Sequence, residues 1–138
     1  MKILTTENAI KNELNVKKGL SLIPTMGNLH NGHLSLIKKA KEYNLKTIAS
    51  IFINPLQFGP NEDFDSYPRT IKSDTEKLEK IGCDYLFVPD DDFAKDLVII
   101  NAPSISKELC GKNRPGHFDG VLTIINKIFS VILPAKAF

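Results

Sequence analysis

Leu20-Ser21-Leu22-Ile23-Pro24-Thr25-Met26-Gly27-Asn28-Leu29-His30-Asn31-Gly32-His33 is the stretch on which the fold turns. Its first four residues make a short apolar run that Pro24 is expected to stop, and a glycine-bearing loop follows. The loop runs straight into residues 33–43, where Leu34, Ile37 and Ala40 fall on one side of a helix and Lys38, Lys39 and Lys41 largely elsewhere. Strand, loop and amphipathic helix open a βαβ unit. Residues 47–53 then form a β-branched run without polar alternation, the pattern of a strand covered on both faces. Both runs read as central parallel strands.

Outward from this unit the alternation continues. The spacing predicts a helix over 70–81, with Ile71, Leu78 and Ile81 sharing a face and Gly82 in the left-handed C-terminal position. Residues 85–88 read as a third strand, 97–100 as an added one, and Ser104 as the cap of a short helical stretch reaching Leu109. Val121, Ile124, Ile125, Ile128, Phe129 and Ile132 make one apolar helical stripe, which Pro134 ends. Residues 135–138 look like the approach to a further strand, so the chain is expected to be a fragment of a longer protein.

With 138 residues, 42% hydrophobic and 25% charged, the chain has the size and balance of one soluble domain. Its apolar runs fall far short of the roughly 20 residues that cross a bilayer, and Met1-Lys2-Ile3 does not lead into a signal peptide. The expectation is a cytoplasmic protein with no membrane partner, whose Cys83 and Cys110 are reduced thiols in or near the core. The formal charge of +2 arises from 18 basic and 16 acidic residues spread along the chain. No basic stripe offers a surface to nucleic acid.

A loop at the carboxyl end of a parallel strand, leading into a helix, is where a doubly wound sheet binds phosphate. Gly27 and Gly32 permit positive φ and close backbone approach, while His30 and His33 can face one anion, donating when neutral or adding charge when protonated. The residues alone leave open a plain structural turn, or metal ligation in which His117 and the cysteines complete a loose set. Asn54-Pro55-Leu56-Gln57-Phe58 follows the second strand at the same sheet edge, where Gln57 is a solvated loop residue or a holder of a carboxylate or hydroxyl. Arg69, Arg114 and His117 lie near helix starts, which points to anion contacts, the alternatives being surface ion pairing for Arg69 and plain turn chemistry for Pro115-Gly116. Asp74 reads as a helix stabiliser or as a partner of hydrated magnesium, and Asp90-Asp91-Asp92 as a solvated turn.

Four blocks in order, residues 24–30 with Gly32-His33, then 54–58, then Tyr67-Pro68-Arg69-Thr70, then Arg114-Pro115-Gly116-His117-Phe118-Asp119-Gly120-Val121, resemble the pantothenate synthetase family. The His-x-Gly-His element alone indicates only the wider nucleotidyltransferase superfamily. The resemblance implies a Rossmann-like α/β domain over residues 1–138, a parallel sheet with helices on both faces, a separate carboxyl-terminal lid that this chain lacks, and a homodimer. It implies ATP with Mg2+, and pantoate and β-alanine joined to pantothenate through a pantoyl adenylate. Met26, Gly27, Asn28, Leu29, His30, Asn31, Gly32 and His33 would contact ATP, with His33 as proton donor beside His30. Gln57, with Asn54, Arg114 and His117, would bind the other substrates. The family's Gly-x-Lys-Asp and Ser-Ser-Arg elements do not occur before Phe138, and residues 89–109 lack its Tyr-Pro-x-Gly element. The rival readings are another nucleotidyltransferase and an inactive nucleotide-binding fragment.

Overall fold

The computed structural model describes residues 1–14, 19–60, 62 and 64–138. In chain order they form β1 (Lys2–Leu4), α1 (Glu7–Leu14), β2 (Leu20–Thr25), α2 (Asn31–Lys41), β3 (Lys46–Ile51), α3 (Ile71–Lys80), β4 (Tyr85–Phe87), α4 (Cys110–Asn113), α5 (His117–Ile132) and β5 (Lys136–Ala137). The strands make one sheet in the order β1-β4-β3-β2-β5, and every pairing is parallel. The longest ladder joins β2 to β3, from Leu20 opposite Lys46 to Thr25 opposite Ile51.

Alternation along each strand divides the core in two. Leu20 and Leu22 of β2, Ile48 of β3, and Tyr85 and Phe87 of β4 pack with Ile10 and Leu14 of α1 and with Ile124, Ile128 and Ile132 of α5. Ile23, Ala49, Ile51 and Leu86 pack on the other face with Ile37 and Ala40 of α2 and Leu78 of α3. The sheet is therefore covered on both sides, which is why its strands read as continuous apolar runs. From β2 the chain moves through β3 to β4 in one direction, whereas β5 lands on the opposite side of β2. The loop after β2 thus opens at the switch point of the sheet, the place where such folds bind ligands.

Several expectations need correction. Pro24 does not stop β2, which runs on to Thr25. Leu20 and Leu22 turn their carbonyls to Ala135 and Phe138, so Pro24 directs its missing N–H to that same side, beyond the last β5 pairing, where no ladder bond is lost. Residues 97–100 form no strand: Val98 and Ile99 are exposed, and the Ile100 N–H donates to Thr123 Oγ1 at 2.9 Å. Ser104 makes no cap bond; it opens a 3-10 turn, Ser104–Lys107, that follows Pro103. On α3 the inward residues are Asp74 and Leu78, with Ile71 exposed. Gly82 does take the left-handed position, at φ +73. The α5 stripe buries Ile124, Ile128 and Ile132 but leaves Phe129 37% exposed. Cys83 is buried and Cys110 exposed, both as free thiols. β1 and α1 had no counterpart in the sequence reading. No helix among the described residues is long and apolar enough to cross a membrane.

Candidate functional site

β2 ends where Thr25 ties it to its neighbour: the Thr25 hydroxyl donates to the Ser50 carbonyl at 2.8 Å and accepts from the Gly27 N–H at 3.1 Å. The chain then turns through two left-handed residues, Gly27 at φ +85 and Asn28 at φ +52. Glycine and asparagine are the types that adopt this conformation at least cost. Asp74 grips the turn from α3, accepting from Asn28 N at 2.9 Å and from Leu29 N at 2.8 Å. Lys77 of the same helix donates to the Leu29 carbonyl at 2.7 Å, and the Leu29 side chain lies in the core at 3% exposure.

His30 is the N-cap of α2, in extended conformation, and with His33 it builds a reciprocal cap from two imidazoles. The Gly32 N–H donates to His30 Nδ1 at 3.1 Å, and the His30 N–H donates to His33 Nδ1 at 3.3 Å. Each Nδ1 is thus occupied as an acceptor, so in the neutral rings the proton sits on Nε2. Two Nε2–H donors stand side by side at the helix start, with ring centroids 4.1 Å apart. Partial burial lowers the His33 pKa below 6.5, His30 lowers it further, and the charge of Asp74 opposes both. His33 is therefore a neutral donor at pH 7. Gly32 lies inside the helix without positive φ; it is needed because a Cβ there would stand 2.8 Å from His30 Cε1.

Beside this cap lies a cavity of about 270 Å3, with His33, Met26, Asn54, Gln57 and Tyr67 as its polar or polarisable lining and Val121, Ile124, Ile125 and Ile128 of α5 as an apolar wall. Asn54, 1% exposed, fixes the polar side. Its Nδ2 donates to Gln57 Oε1 at 3.1 Å and to the Gly120 carbonyl at 3.0 Å, and its Oδ1 accepts from Leu56 N at 3.2 Å. With Oε1 taken, Gln57 turns its Nε2 donor toward Met26 Sδ, 2.9 Å away. α5 approaches so closely that a Cβ on Gly120 would fall 2.2 Å from the Leu56 carbonyl oxygen. A second cavity of about 250 Å3, over Gly27, Asp74 and Arg69, shares Met26 and Phe52 with the first.

The structure thus brings Met26, His33, Asn54 and Gln57 around one space, with His30, Asn31 and Gly32 exposed at its edge and Asn28 exposed in the turn. Arg114 and His117 lie behind it. The Arg114 guanidinium forms a fork with the Glu62 carboxylate, Nη1 stands 3.1 Å from His117 Nε2, and His117 Nδ1 lies 2.7 Å from the Gln57 carbonyl. Their contacts reach the cavity through the Gln57 backbone. Arg69 donates to the Asp65 carbonyl and stacks over Phe64. Sequence reasoning missed Glu62, Tyr67 as a wall residue, and the hold of Asp74 on the loop, all of which join residues dozens of positions apart. Among the described residues no three of His, Cys, Asp and Glu converge as a metal-ligand set.

Comparison with known proteins bears on this arrangement. The model of one protein family, pantoate-beta-alanine ligase, matches residues 2–138. A pantothenate synthetase from Pseudothermotoga lettingae is 47% identical over 129 residues, 91% of this chain and 46% of that protein. Among solved structures, a pantothenate synthetase from Thermus thermophilus superposes with a TM-score of 0.91 at 37% identity, over 99% of this chain and 51% of that one. A pantoate-beta-alanine ligase from Francisella tularensis, complexed with beta-gamma ATP and beta-alanine, also gives 0.91, at 38% identity over 99% of this chain and 55% of that one. The chain spans about half the length of the curated relatives it matches. Matched from residue 2 to residue 138 by the family's model and superposed on a solved member over 99% of its length, this chain belongs to the pantoate-beta-alanine ligase family.

Proposed function

We propose that residues 1–138 form the ATP- and pantoate-binding domain of a pantothenate synthetase, which condenses pantoate with β-alanine at the expense of ATP. The observation that carries this reading is the cavity in which a neutral His33 and the Gln57 amide face an apolar wall. Pantoate has a carboxylate and one hydroxyl at one end, a second hydroxyl at the other, and a gem-dimethyl carbon between them. Gln57 Nε2 suits a polar end and the α5 wall suits the methyl groups.

ATP then lies outside, along residues 26–33, with its α-phosphoryl group at the Nε2–H donors of His30 and His33. Met26, Gly27, His30, Asn31, Gly32 and His33 form its contact surface, while Asn28 and Leu29 serve it by anchoring the turn. A pantoate carboxylate oxygen attacks the α-phosphorus, the bond to the bridging oxygen breaks, and pyrophosphate departs. Donors already aimed at the phosphoryl oxygens stabilise the charge that gathers there, which is catalysis by preorganisation. The β-alanine amine attacks the acyl carbon, AMP leaves, and the amine loses its proton to give pantothenate. Magnesium, carried by ATP, would offset part of the polyphosphate charge. Asp74, the acid packed on this loop, is buried and already accepts from two amides and a hydroxyl, which commits its carboxylate to holding the loop. Asn54, Arg114 and His117 serve the substrate side by holding Gln57.

The reading extends to a cytoplasmic homodimer. Val98, Ile99, Ile105 and Leu109 are 81%, 60%, 77% and 89% exposed, a density of bare apolar side chains that a second copy would cover. The free thiols of Cys83 and Cys110 suit a reducing compartment. The test is pyrophosphate release by the full-length protein. Release that requires pantoate, with AMP and pantothenate formed once β-alanine is added, supports the proposal. Release indifferent to pantoate, or its absence, refutes it.

A further inference from the structure

Asp74 is a carboxylate with 0% exposure in the first turn of α3, and the reaction as described gives it no role. Oδ1 accepts from Leu29 N; Oδ2 accepts from Asn28 N and, at 2.9 Å, from the Thr70 hydroxyl. Lys77 Nζ stands 3.8 Å from Oδ1 and donates to the Leu29 carbonyl. All of this holds a turn of two successive left-handed residues, Gly27 and Asn28, whose exit is the His30 cap. The fit is close: a Cβ on Gly27 would lie 3.2 Å from Asp74 Oδ2 and 3.1 Å from Ile51 Cγ2.

Two consequences follow from the bonding. The Asn28 and Leu29 amides point into α3, so they are not part of any phosphate cradle, and the donors at this edge are the imidazoles and the first turn of α2. The position of His30 is also set from α3, because the residue before it, 45 positions from Asp74 in the chain, is pinned at both its N–H and its carbonyl. We infer that Asp74 is a positioning residue for the two-histidine cap, acting through the Asn28 and Leu29 backbone to place the His30 and His33 rings over the reacting phosphate. A purely structural acid would hold α3 to the sheet and leave the rings where they are.

Asp74→Asn separates the two roles. The amide keeps the size of the carboxyl but turns an NH2 toward a site of three donors, so one loop bond is lost and the turn must shift. Leu78→Ala, one turn further along the same buried face, is the control for helix packing alone. Both are compared in the full-length protein, at a temperature where circular dichroism shows them folded. Asp74→Asn is expected to lower kcat for adenylate formation about 100-fold, as a small displacement of positioned groups does, with the KM for ATP changed less than about threefold. It should also move the ring nitrogen resonances of His30 and His33, which Leu78→Ala should leave in place.

If Asp74→Asn leaves the resonances and kcat where Leu78→Ala leaves them, the inference is overturned. Should Asp74→Asn fail to fold, Thr70→Val removes a single donor to Oδ2 and decides the matter: smaller changes in the same direction support the role, and none refute it. The kinetic arm rests on the proposed function, while the resonance arm does not. Wild-type protein without pantoate-dependent pyrophosphate release would sink the function and leave the positioning of the rings still measurable.

Discussion

His33 divides its work between two nitrogens. Nδ1 caps α2 by accepting from His30 N, which leaves Nε2–H free to face the cavity, and the depressed pKa keeps the ring neutral. His33→Ala should therefore lower the rate of adenylate formation by about 100-fold or more, the usual loss when one preorganised donor to a developing oxyanion is removed. Binding of ATP should weaken far less. Isotope exchange and equilibrium binding measure the two, and equal losses would mean that the ring only holds ground-state substrate. At this scale the sequence was legible where position follows from the local elements: the two histidines follow β2 and Gln57 follows β3, and strand ends could be read. Arg114, His117 and Glu62 could not, since the Arg114–Glu62 pairing spans 52 residues and helix-start logic pointed Arg114 toward an anion outside the chain.

Gly120 sets how α5 meets the Pro55–Gln57 turn. Replacing a mid-helix glycine by alanine normally stabilises by about 1 kcal/mol. Here the added Cβ would stand 2.2, 2.4 and 2.7 Å from backbone atoms of Leu56 and Gln57, and backbone does not give way as a side chain does. The clash should win, so that Gly120→Ala destabilises by about 2 kcal/mol net in urea unfolding and displaces Gln57. A stabilised variant would show that α5 does not need this approach. α5 was readable because its apolar residues recur over about three turns, Val121 to Ile132, and α2 and α3 from shorter repeats beside clear loop signals. β1 was not, as three residues carry no period, and α1 buries only Ile10 and Leu14. Residues 97–100 misled for a physical reason: an apolar run fits an extended segment beside a helix as well as a strand, and the Thr123 hydroxyl took a backbone donor that a ladder would have used.

For the molecule as a whole, two surfaces make predictions. Arg114, followed by the Gly59 N–H, holds the Glu62 carboxyl at a pKa of about 2, well below its usual 4.5. A depressed carboxyl contributes its stability above the ordinary value and loses it as pH falls from about 4.5 to about 2. Wild-type protein should thus be more stable than Glu62→Gln at pH 7, and the gap in urea midpoints should close as pH falls to about 2; a gap independent of pH would rule the pair out as its source. The apolar segment predicts that Ile105→Lys with Leu109→Lys weakens self-association in sedimentation velocity, and wild-type protein that is monomeric at tens of micromolar would contradict the dimer. The strand order carries one more consequence, for synthesis on the ribosome. Lys2–Leu4 is synthesised before the other strands, yet among the described residues its ladder is with Tyr85–Phe87, and at roughly 5–20 residues per second that partner arrives several seconds later. β2 and β3 can zip together meanwhile, so β1 is seated late, and a nascent chain stalled before residue 85 should leave Lys2–Leu4 open to a protease that spares the β2–β3 pair.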